Sequence, residues 1–206
     1  MTGTEQEQWL FDGLTRSQAT WNVIANQVLM AQLDHDTTVE GERYWNDSWD
    51  GYPAARERIL EHIAGHVSQQ TSEDPFNVVV ITGDWHSSFV NDLKVNFKEA
   101  TSPIVATEFV GTSITSNGDS DIYQRYYGPM IPHNPHIKFF DGVHRGYVLC
   151  KLDRDRWVTD LLRVSSVIKS NWSVSSDSFE VRSGIPGATP VSSSLNRISL
   201  PLITVR

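Results

Sequence analysis

Cysteine is nearly absent: Cys150 is the single one in 206 residues, which excludes an internal disulfide, a zinc ribbon and a Cys-x-x-Cys redox motif. Basic clusters are missing too. The 17 Lys and Arg stand against 25 Asp and Glu, and a net charge of −8 argues against nucleic-acid binding by bulk electrostatics. A small anionic ligand would therefore need a local positive site. No apolar run approaches the ~20 residues of a membrane span. The opening "MTGTEQEQWL" has neither the basic nor the apolar region of an export signal, so the chain as written is expected to remain cytoplasmic. There is no internal repeat.

What is present suits one sizeable core. Hydrophobic residues make up 39% of the chain, with seven Trp. Cys150 is expected to fill that core.

Periodicity orders the chain as α/β followed by β. In residues 5–16 Leu10 and Leu14 are four apart among Gln and Glu, which predicts a short amphipathic helix ending near Thr15. "ATWNVIANQVLM" reads as a buried strand running into a loop, and residues 34–51 read as a long polar connection. From Pro53, "PAARERILEHIAGHV" repeats apolar residues at four-residue spacing with Pro in the first turn, the clearest helix signal in the chain. "FNVVVITG" reads as a strand covered on both faces, and "SPIVATEFVGTSI" as a second. Residues 137–167 predict two or three strands, turning at Asp141-Gly142 and at 153–155. The domain is expected over 1–187, with 188–206 as a weakly structured tail.

Chemistry concentrates where the Val-rich strand ends, in "ITGDWHSS". In an extended segment Asp84 and His86 point to one side, beyond the carboxyl end of a strand, where open α/β sheets place ligands. A carboxylate and an imidazole there suit part of a binuclear metal site; an ordinary Gly-Asp turn with an exposed His suits the same letters. Upstream, Asn46, Asp47 and Asp50 offer oxygen donors just before the Pro53 helix, or else a helix cap. Arg145 offers a planar fork for a phosphate oxygen, or an ordinary strand-end Arg. His133 and His136 are three apart, but Pro132 and Pro135 stiffen that turn. Glu108 is either a buried acid beside the site or a solvated strand end.

Six stretches in order, "EQEQWLFDGLTRSQATWNVIANQV", "DSWDGYPAARERIL", "NVVVITGDWHSS", "ATEFVGTSITS", "NPHIKFFD" and "RGYV", resemble the carboxyl-terminal part of the PhoD-like alkaline phosphatases. The resemblance covers residues 3 to about 187. It implies a calcineurin-like α/β sandwich, calcium and iron ions, and hydrolysis of phosphate monoesters and often diesters by enzymes acting outside the cytoplasm. It assigns Asp84 and His86 to the family's Gly-Asp-x-His metal ligands and Asp50 or Asp47 to a calcium-ligand region. Arg145 and His136 fall in matched blocks as candidates for substrate contact.

The earlier family motifs, a Gly-Asp-x-x-Asp-like segment and an Asn-His pair, have no counterpart. Gly118-Asp119 lies downstream in a polar loop, and "HNPH" reverses the order. The chain is therefore expected to correspond to the carboxyl-terminal half, from a truncated gene or a start codon placed too late. Two functions follow as alternatives. One is a metal-dependent phosphoric ester hydrolase short of some ligands; the other is a non-catalytic module that binds a partner or self-associates through exposed sheet edges.

Overall fold

The computed structural model describes residues 1–38 and 41–192. Two helices and two sheets stack in three layers. Helix α1 (Thr4–Arg16) carries Glu5 and Glu7 in its first turn and Arg16 in its last, the charge order its dipole favours. Helix α2 (Pro53–Val67) begins with Pro53, whose missing N–H is no loss in a first turn, and buries Ala55, Ile59, Leu60 and Ile63 along one stripe.

The first sheet has the order β1-β2-β4-β3-β5: β1 (Trp21–Asn26), β2 (Asn77–Thr82), β4 (Ile104–Val110), β3 (Ser88–Lys94) and β5 (Ile137–Asp141). β1, β2 and β4 run parallel, and β3 runs antiparallel to β4 and β5. The second sheet is an antiparallel meander of β6 (Arg145–Leu152), β7 (Arg156–Val164), β8 (Val174–Arg182) and β9 (Ile185–Val191).

Alternation along β2 assigns the layers. Val78 and Val80 face the helices, packing with Leu14, Ile59, Leu60 and Ile63. Val79 faces the second sheet, with Val90, Phe109, Trp157, Leu161 and Phe179. Each such apolar side chain contributes roughly 1.5–3 kcal/mol on burial. Cys150 is half-buried at the margin of this inter-sheet core. A third cluster, with Leu29, Leu33, Trp85, Phe89 and Met130, closes the carboxyl end of the first sheet.

Several elements differ from the pattern reading. β1 is an edge strand rather than a buried one, with Val23 47% exposed. β3 was hidden because Asn91 and Asp92 interrupt its apolar run, yet both are buried. The short helix α3 (Ile122–Tyr127) and the 3-10 segment Gly128–His133 that follows were also not anticipated. The Ser-rich stretch forms β8, and "GIPGATP" supplies the turn residue Gly184 and then most of β9, so residues 188–191 of the expected tail are sheet. The rest of that tail, from 193, lies outside the described residues. No helix among the described residues is long and apolar enough to cross a membrane.

Candidate active site

β2 is an interior strand of the first sheet, and its carboxyl end delivers the chain into the 83–87 loop before β3. The loop is curled, not extended. Trp85 N donates to the Gly83 carbonyl at 2.8 Å, and Asp84 and His86 both have positive φ, 65° and 53°. Two non-glycine residues in the left-handed region cost energy, and such strain collects at functional sites. Asp84 and His86 are therefore not aligned on one side by an extended backbone.

Trp85 anchors the curl. Its side chain is buried with Leu29, Leu33 and Phe89, and its ring stacks on Tyr127 at 5.9 Å. With Trp85 inside, Asp84 is exposed and His86 half-exposed. Tyr123 of α3 fixes the histidine: its hydroxyl lies 3.0 Å from His86 Nδ1, and its ring stacks on Tyr127 with a 9° interplanar angle. When Nδ1–H donates to the phenol oxygen, Nε2 carries the lone pair. Tyr123 was missed in the sequence; the spacing of Tyr123 and Tyr127, four apart in "IYQRYY", was the available signal.

Asp50 is held in internal contacts. It is buried, its Oδ1 is 2.5 Å from Arg56 Nη1, and its Oδ2 accepts the Leu33 N–H at 2.9 Å. Burial raises its pKa and the Arg56 guanidinium opposes that rise. Arg56 also donates to the Met30 carbonyl at 3.1 Å, so this pair braces the 29–33 segment. Asp47 is exposed in the preceding turn, as is Asn46, and Ser48 rather than either Asp caps the following 3-10 turn through the Asp50 N–H. Gly51 of "WDGY" is required by space, since a Cβ there would stand 2.0 Å from the Asn46 carbonyl oxygen.

Glu108 is the buried acid of the two readings open to it. It accepts from Met30 N, Ala31 N, Asn91 Nδ2 and Thr82 Oγ1 at 2.7–2.9 Å. Burial raises its pKa against those four bonds. Asp50 and Glu108 thus clamp one segment from two sides.

Arg145 is 1% exposed and bonded to the protein's own backbone. Nε donates to Ser116 O, Nη1 to Val143 O and His144 O, and Nη2 to Ser120 O, at 2.7–3.2 Å. Four of its five N–H groups are engaged, which ties the loop after β4 to β6 and sets the guanidinium over the Tyr123 ring at 5.8 Å. The neighbouring Gly146 allows close packing, since a Cβ would lie 1.8 Å from the Leu162 carbonyl oxygen. His136 is buried, with Nε2 2.6 Å from the Gln32 carbonyl oxygen, and burial lowers its pKa to about 4. It is a neutral brace on the segment that Asp50 and Glu108 hold. His133 is exposed, and Asp119 accepts from Ser166 Oγ and Val167 N at 2.5 and 2.7 Å, joining two loops.

The structure thus brings Asp84 and His86 onto one strained loop and commits Asp50, Arg145 and His136 to internal contacts. Among the described residues no group of three or more His, Cys, Asp or Glu could hold a metal ion. Two donors fall short of the about 6–8 oxygen ligands that calcium takes. Two open hollows of about 330 and 290 Å³ meet at Ile81, Thr82 and Gly83, at the base of the loop.

Comparison with known proteins bears on this geometry. The PhoD-like phosphatase family model matches residues 1–161. The chain is 43% identical over 160 residues to alkaline phosphatase D of Bacillus subtilis (strain 168), covering 78% of this chain and 26% of that protein. A solved structure described as that of PhoD matches with a TM-score of 0.79 and 39% identity, over 94% of this chain and 35% of the other. The chain spans about a quarter of the length of the first and about a third of the second.

Proposed function

Because the chain belongs to the PhoD-like phosphatase family, we propose that it serves metal-dependent hydrolysis of phosphoric esters, of the alkaline phosphatase and phosphodiesterase type. The observation that carries the reading is the curled loop after β2, which exposes Asp84 and holds His86 by one ring nitrogen. A calcineurin-like sandwich is the fold that goes with it; helices on one face of the first sheet and a second sheet on the other support that assignment. The family's ions would be calcium and iron, with Asp84 as an oxygen donor and His86 Nε2 as a nitrogen donor. Two donors suit one side of such a site and leave the remaining ligands to come from elsewhere. The ester is expected outside the cytoplasm, as for the family.

Within the chain the other residues position rather than react. Trp85 and Tyr123 fix the loop, while Arg145 holds the strand behind Tyr123. The test is hydrolysis of a chromogenic phosphate monoester and diester after chelation and metal return. Asp84→Asn and His86→Ala are expected to abolish metal-restored turnover while leaving the circular dichroism spectrum unchanged. Unchanged turnover in both variants would sink the assignment.

A second reading is favoured by the two-donor count and by outer strands that have no further partner strand among the described residues. β1 and β6 are outer strands, and Val23, Ile81, Tyr147 and Leu149 are exposed on or beside them. Unpaired edges with apolar side chains invite strand addition, so a non-catalytic module that associates with itself or with another chain is the alternative.

A further inference from the structure

Away from the loop after β2, two imidazoles converge on one atom. His62 and His66 lie four apart on α2, which puts them on one face. Their Nε2 atoms stand 3.2 and 3.4 Å from the same oxygen, Thr15 Oγ1 near the end of α1. Neither ring is loose. His62 stacks on Phe11 at 4.4 Å, His66 stacks on Phe76 at 4.8 Å, and the two imidazoles meet edge-on at 5.0 Å. A hydroxyl has one proton, so it can donate to only one of the two nitrogens. The second ring can bond it only by turning its own N–H toward the oxygen.

We propose that His62 and His66 form a bidentate site for a divalent transition metal of the copper and zinc class, with Thr15 Oγ1 or water completing the coordination. The donor set decides the class: two imidazole nitrogens at i, i+4 suit Cu²⁺ and Zn²⁺, whereas calcium and magnesium select oxygen. Aromatic stacking on both rings performs the orienting that metal-binding histidines need. Burial, then the neighbouring His66, lowers the His62 pKa, the direction that favours the neutral ring. The ion would fasten the carboxyl end of α1 to α2. This site stands apart from the phosphoesterase reading and does not depend on it.

Paramagnetic resonance of Cu²⁺ added to the chain tests the site, using a His86→Ala background so that the loop after β2 contributes no imidazole. The expected spectrum has one bound Cu²⁺ coupled to two nitrogens, and excess Zn²⁺ displaces it. His62→Gln and His66→Gln, each checked for native circular dichroism, are expected to lose the two-nitrogen signature. A Cu²⁺ spectrum with fewer than two nitrogens in the His86→Ala chain would overturn the proposal, whatever the folding of the glutamine variants. So would a two-nitrogen spectrum that survives both.

Discussion

At the scale of single residues, backbone strain and buried charge make separate claims. Asp84 holds φ at 65°, where a Cβ is costly and an Asp side chain less so than most. Asp84→Gly is therefore expected to be more stable than Asp84→Ala by about 1–2 kcal/mol in urea unfolding. Equal stabilities would remove strain from the account of this loop. Asp141 makes a different point. Burial pushes its pKa up, but bonds from His144, Arg163 and Val143 outweigh it and hold the carboxyl down at about 2. A depressed carboxyl adds stability above its unfolded pKa of about 3.9 and loses it as pH falls toward 2. Asp141→Asn is expected to cost on the order of 2–3 kcal/mol at pH 7, with the gap to the parent closing between about pH 4 and pH 2. A gap that stays constant over that range would mean the carboxyl acts by shape and not by charge. Neither the Tyr123–His86 contact nor the bonds of Arg145 to Ser116 and Ser120 were legible in the sequence, because each joins segments far apart in the chain.

At the scale of elements, the legible ones carry a clean period. α2 repeats Ala55, Ile59 and Ile63 at four-residue intervals and packs as that spacing predicts, and β2 reads as a covered strand from its Val run. Ile59 is fully buried under the first sheet. Ile59→Ala is expected to lower stability by about 2–5 kcal/mol through lost contacts and a cavity, measured by chemical denaturation. A cost below about 1 kcal/mol would mean that the α2–sheet layer collapses around the gap. β3 and β8 were illegible for a shared reason. Their polar residues, Asn91 and Asp92 in one and four Ser and Asp in the other, mimic loop composition. Tertiary contacts reverse that signal: Asn91 donates to Glu108 at 2.9 Å, and Ser178 to Asp160 at 2.5 Å. The Asp50–Arg56 ion pair, six residues apart across a turn into α2, carries no signal in the sequence for the same reason.

At the scale of the molecule, two sheets share one core, and among the described residues β1 and β5 edge the first while β6 and β9 edge the second. Val23 on β1 and Leu149 on β6 are 47% and 37% exposed. Sedimentation velocity is expected to find concentration-dependent association of the parent, reduced in a Val23→Lys, Leu149→Lys double variant, since charge on an edge blocks strand pairing. A monomer at all concentrations would leave the edges unused. The α/β order and the family were legible from ordered blocks of sequence, whereas the donor count required coordinates, because only they reveal that Asp50 and His136 are committed elsewhere. The central claim is that the loop after β2 serves phosphoester hydrolysis through Asp84 and His86. The most direct test is turnover of a chromogenic phosphate ester by the chelated chain before and after calcium and iron are returned, beside Asp84→Asn and His86→Ala. The account predicts slow turnover that metal restores in the parent and in neither variant. Turnover that both variants keep would contradict it.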